Sequence, residues 1–118
     1  MPKVNFERRR APRAPVHVPI QLAPNGAGQS AELVNLSTSG LCCHFSAAIS
    51  EMTLVAIELD LPGARGTKVQ GAVVRCEKLR GINPPTYEVG VFFTDMSDAT
   101  RKLLGEFVDQ QLVRNVAQ

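Results

Sequence analysis

The chain has no tryptophan, one tyrosine and five phenylalanines, so aromatic residues make up only 5% of its 118 positions. A protein that binds single-stranded nucleic acid needs stacking platforms, and this composition counts against such a partner. No long uncharged apolar run is present, which excludes a transmembrane helix as an expectation. No apolar segment follows the N-terminal basic residues in the manner of a secretory signal, so the expected compartment is the cytoplasm. The three cysteines are odd in number, and Cys42 and Cys43 are adjacent, so they should project to opposite faces of a strand. Reduced thiols packing as small apolar groups are expected.

Catalytic signatures are equally scarce. His17 and His44 are the only histidines, and neither sits in a nucleophile or metal motif. Cys42 and His44 share a strand face by spacing, but two ligands are weak grounds for zinc. The carboxylates are scattered, and no glycine-rich phosphate loop of the Walker or dinucleotide type is present. The expectation is a protein that is not an enzyme and that has neither a metal site nor a cofactor. There is no internal repeat and no low-complexity segment.

What is present is charge at one end. "ERRRAPR", Glu7 to Arg13, puts four arginines into seven residues. Residues 1–17 carry five basic side chains against Glu7 alone, a net of +4, while the remaining residues carry eight basic and ten acidic groups, a net of −2. A basic arm on a mildly acidic body points to a local anionic partner. Pro12 and Pro15 flank Arg13 and disfavour a helix, so the arm should be extended or turning.

After the arm the hydrophobic period is mostly two. "VHVPIQL" (16–22) sets Val16, Val18, Ile20 and Leu22 on one face, with Pro19 hinting at an edge or bulge. Asn25-Gly26 is a strong turn signal. Strands are then expected at 30–37, 41–46, 53–61, 68–79 and 87–93, with "LPGARGT" and "RGINPPT" as loops. In the fourth strand Val55, Ile57, Leu59 and Leu61 form the apolar face. Gly71 and Gly90 lie inside strands, and Gly71 suggests a bulge or close backbone approach. From Asp98 to Val113 the period becomes helical through Leu103, Leu104, Phe107, Val108 and Leu112, with Ser97 placed to cap it. One domain follows: a flexible basic arm over 1–15, then residues 16–118 as an all-β unit with a C-terminal helix. Six short strands with tight turns suggest a small antiparallel barrel.

Two stretches carry a family resemblance. "RRAPR" sets Arg9 and Arg13 in an RxxxR pattern just before the first strand, with Arg8 ahead of it. "NLSTSG" sets Asn35, Ser37 and Gly40 in a (D/N)xSxxG pattern between the second and third strands. In this order, before this strand pattern, they resemble the PilZ domain family, receptors for the bacterial second messenger cyclic di-GMP. The resemblance covers nearly the whole chain and implies a six-stranded PilZ-type barrel with a C-terminal helix. It implies Arg8, Arg9 and Arg13 as ligand contacts, with Arg10 as a secondary one. Asn35 and Ser37 would face one way and bond the polar edges of a guanine, and Gly40 would open the next strand. Arg75 falls on the fifth strand, where family members can supply a side chain that stacks on a guanine.

The ligand chemistry suits arginine. A guanidinium fork bonds two acceptors at once, whether phosphate oxygens or the O6 and N7 edge of guanine, and lies flat against a purine. The implied function is a single-domain receptor or adaptor that orders its arm on the ligand and signals through contacts with a downstream protein. The alternatives are a non-binding interaction module of the same fold, and a nucleic-acid-binding small barrel, which the few aromatics disfavour.

Overall fold

The computed structural model describes Ala14–Pro15, residues 19–24 and residues 28–117. The arginine arm (Arg8, Arg9, Arg10, Arg13), Val16, Val18 and the Asn25-Gly26 turn lie outside the described residues. The strands are β1 Ala14–Pro15, β2 Pro19–Ala23, β3 Gln29–Leu36, β4 Gly40–Phe45, β5 Leu54–Leu61, β6 Ala64–Lys78 and β7 Tyr87–Asp95, and the helix α1 is Asp98–Ala117.

β1 and β2 pair with β3 in succession, so they form two pieces of one wall. From there the antiparallel order runs β3-β2-β5-β6-β7-β4, and β4 pairs back onto β3. The result is the expected closed six-stranded barrel. Alternation fills its interior. β5 buries every second residue, and Val55, Ile57, Leu59 and Leu61 point inward as their spacing requires. Leu22, Leu33, Leu36, Leu41, Val73, Val89 and Val91 fill the interior from the other strands. α1 adds Leu104, Phe107 and Val108 to this core, whereas Leu103, expected with them, is exposed. The cap is as expected: Ser97 Oγ accepts from the Thr100 amide at 3.1 Å. No helix among the described residues is long and apolar enough to cross a membrane.

One connection is shorter than the sequence suggests. Pro62-Gly63 alone turn the chain, since Leu61 already pairs with Ala64, and Gly63 supplies a φ of 77°. The apparent loop "ARGT" is bulged strand. Gly66, at φ 73°, donates its amide to Asp60 Oδ1 at 2.9 Å, and the Thr67 hydroxyl donates to the Ala64 carbonyl at 2.6 Å. β6 therefore begins at Ala64 rather than Lys68.

Candidate functional site on the outer wall of β3, β4, β7 and β6

The "NLSTSG" stretch is the hairpin between β3 and β4. Ser37 donates its amide to the Gly40 carbonyl at 2.9 Å, which closes the turn around Thr38 and Ser39. The Ser37 hydroxyl then accepts from the amides of Ser39 at 3.1 Å and Gly40 at 3.2 Å. It is 0% exposed. The expectation that Ser37 shares an open face with Asn35 is corrected here. β3 ends at Leu36 and Ser37 already belongs to the turn, so simple alternation does not extend to it. Asn35 stays half-buried on the outer wall, while Ser37 is a turn-building residue.

Gly40 is required by space. It pairs with Phe92 on β7, and a Cβ there would run into the carbonyl oxygen of Val91. It is not one of the glycines with positive φ, which among the described residues are Gly63, Gly66 and Gly81. Close backbone approach is its role.

Strand register assembles the rest. Asn35 pairs with Cys42, Cys42 with Gly90, and Gly90 with Arg75. Four residues from four strands thus form one row across the outer wall, and two of the expected site residues, Asn35 and Arg75, stand at its ends. β1 reaches the same place: Ala14 pairs with Leu36 and Pro15 with Asn35. Arg13 is one peptide bond from Ala14.

Arg75 is held in a network that the sequence does not announce. Its Nη1 donates to Glu77 Oε1 at 3.0 Å and to Glu88 Oε1 at 3.3 Å, and its Nη2 approaches Cys42 Sγ at 3.8 Å. The other oxygen of Glu88 lies 3.4 Å from His44 Nε2, and His44 Nδ1 lies 3.7 Å from Glu32 Oε1. Glu32, His44, Glu88 and Glu77 are cross-strand partners, so this is a second row beside the first. Burial pushes the Glu88 carboxyl up, but hydrogen bonds from Arg75 and His44 outweigh it and hold the group below the ordinary carboxylate range. For Arg75, burial pulls down while the Glu88 bond and the neighbouring Cys42, Glu88 and Glu77 raise it above the ordinary value.

Cys42 and His44 do share the outer face of β4, as their spacing requires, while Cys43 points into the core. Burial, with Cys42 and Cys76 nearby, pushes the Cys43 thiol up to about 12. Among the described residues no three histidine, cysteine or carboxylate side chains could hold a metal ion. Glu88 and Gly90 were the residues that sequence reasoning did not assign. Their signal is the pairing of "YEVG" against "VRCEK", which periodicity alone does not supply.

A groove of about 720 Å³ lies elsewhere, over β2, β5 and β6, lined by Gln21, Glu58, Lys68 and Gln70 among others. None of the expected site residues among the described ones, Asn35, Ser37, Gly40 and Arg75, lines it.

The PilZ domain family model matches residues 7–110. No curated protein matches the sequence. Among solved structures, the PilZ domain of YcgR from Escherichia coli with c-di-GMP has a TM-score of 0.74 at 15% identity, covering 92% of this chain and 94% of that one. The Bacillus subtilis inhibitor of motility MotI/DgrA has a TM-score of 0.76 at 12% identity, covering 94% of this chain and 52% of that one. The K. pneumonia MrkH–c-di-GMP complex has a TM-score of 0.66 at 13% identity, covering 93% and 53%. The chain therefore spans about half the length of the latter two proteins. At these identities the likeness is one of fold.

Proposed function

Because this chain belongs to the PilZ domain family, we propose that it is a receptor for cyclic di-GMP, which it binds on the outer wall of β3, β4, β7 and β6. The observation that carries the proposal is the strand register around Asn35. Asn35 and Arg75 stand in one cross-strand row, and β1 runs beside Asn35 directly after Arg13. The YcgR PilZ domain and the MrkH complex, both similar in fold, were solved with c-di-GMP.

Each residue type has a task in this reading. Arg8, Arg9 and Arg13 close over the ligand and take its two phosphates and the O6 and N7 edge of guanine, with Arg10 as a further phosphate contact. Asn35 offers an amide to the polar edge of a base, where an unmatched purine leaves a polar group unpaired. Ser37 acts through the turn it builds, and Gly40 through the close seating of β4 on β7. Arg75 stacks its planar face on a guanine. The role is that of a receptor without catalysis. Ligand binding orders the arm on the wall, and the covered wall is the new surface that a downstream protein meets.

A titration with cyclic di-GMP, GMP and single-stranded DNA tests the reading. Saturable binding of cyclic di-GMP alone is expected. Arg9→Ala and Arg13→Ala should each weaken it by roughly 1.5–3 kcal/mol without loss of fold. Parent-like affinity in either variant would remove the arm from the site. Trypsin cleavage after Arg8, Arg9, Arg10 and Arg13 should slow under saturating ligand, and an unchanged rate would remove the switch while leaving binding intact.

A further inference from the structure

We propose that Glu88 is a positioning residue, whose carboxylate fixes the Arg75 guanidinium flat across Gly90 so that its outward face meets a planar base. The identity of that base rests on the cyclic di-GMP reading above; the pinning of Arg75 does not.

Gly90 opens the space. It lies on the outer side of β7, in parity with the exposed Phe92, yet it is buried. A Cβ on it would stand 3.5 Å from Arg75 Cβ and 3.7 Å from Arg75 Nε, so the arginine stem lies over the glycine instead of rising into solvent. Three partners then tie the guanidinium edge: Glu77 on β6, Glu88 on β7 and Cys42 on β4. They come from three adjacent strands, so they hold the plane along the wall.

The two carboxylates are not equivalent. The Glu77 side chain is 67% exposed and has the solvated freedom of a surface pair, whereas Glu88 is 28% exposed. Glu88 is also fixed from behind, since Oε1 meets Arg75 and Oε2 meets His44, which is itself beside Glu32. A carboxylate with both oxygens engaged transmits the geometry of β4 to a side chain rooted on β6. With Nη1 shared between two carboxylates, Arg75 is poorly placed to chelate a phosphate. Its free asset is the π-face, so it reads a base and leaves the phosphates to the arm.

Two measurements test this on the full chain. In the free protein, the ¹⁵N side-chain resonances of Arg75 should report hindered rotation about Nε–Cζ; Glu88→Gln should release it, and Glu77→Gln should not. With cyclic di-GMP, a double-mutant cycle over Arg75→Ala and Glu88→Gln is run at fixed ionic strength. Removing a carboxylate also relieves repulsion of a doubly charged ligand, but that effect is common to both backgrounds and cancels. Glu88→Gln should cost at least about threefold more affinity when Arg75 is present than when it is alanine. Thermal melts of each variant establish that it is folded. Equal effects in both backgrounds, or an Arg75 signal unmoved by Glu88→Gln, would overturn the positioning role. A parent protein that binds no cyclic di-GMP would overturn the receptor reading, and the free-protein resonances would still decide whether Glu88 pins Arg75.

Discussion

Replacing Ser37 by alanine removes one oxygen from the hairpin between β3 and β4, and the structure sets the cost. That oxygen accepts from the Ser39 and Gly40 amides at 3.1 and 3.2 Å, and its residue is 0% exposed, so water cannot take its place. A buried donor left unmet costs roughly 1–3 kcal/mol. The backbone bond from Ser37 to Gly40 survives, and Ser39 is only part-buried, so the two losses do not add in full. We expect Ser37→Ala to destabilise the free protein by about 2 kcal/mol. For a domain of this size that lowers Tm by roughly 6–10 °C. Thermal and urea unfolding without ligand are the assays. Affinity should fall by a similar factor for cyclic di-GMP and for a cyclic di-AMP control, since the hydroxyl acts through backbone placement. A Tm within about 1 °C of the parent, combined with a selective loss of cyclic di-GMP binding, would refute the turn-building role and make Ser37 a direct contact.

Three further outcomes follow from the same geometry. Gly40→Val should cost roughly 3 kcal/mol or more in urea unfolding, and Gly40→Ala nearly as much, because even a methyl meets the Val91 carbonyl; a neutral alanine variant would show that the approach can relax. Met52 is 75% exposed at a φ of 71°, so Met52→Gly should raise stability by about 0.5–1 kcal/mol, read as a higher Tm. Glu88 has its folded pKa lowered, so its contribution is present above the ordinary carboxylate pKa and is lost as pH falls through the lowered value. Acid unfolding of Glu88→Gln should therefore lack part of the parent's stability loss on that limb, and superimposable acid profiles would refute the assignment.

The barrel was legible because its strands alternate. Val55, Ile57, Leu59 and Leu61 could be placed inward from spacing alone, and Ser97 could be placed as a cap from its residue type. The pattern failed where a strand ends or bulges. β3 ends at Leu36, so Ser37 falls into the turn, and the Gly66–Asp60 contact turned an apparent loop into strand. Arg75 was marked only by resemblance. Its partners Glu88, Cys42 and Gly90 come from pairings between strands 13 to 33 residues away, and the register shift between Val73 and Arg75 has no local signature. Local sequence specifies which face a side chain takes; it does not specify which neighbour it meets.

The return of β4 onto β3 has a consequence for how another chain could add to this domain. An open sheet can recruit a partner by lending it an edge, where main-chain hydrogen bonds do most of the work and side-chain identity matters less. Here the strand order comes back on itself, so the described strands offer no such edge along the β3–β4 seam. At that seam the barrel presents side chains in place of unpaired main chain. The exposed Leu54 and Phe92, which pair with Ala72 from either side, lie with exposed Val74 on β6 near the row that carries Arg75. Point substitutions at such positions change the outer relief and leave the inward-facing core residues of the barrel as they are.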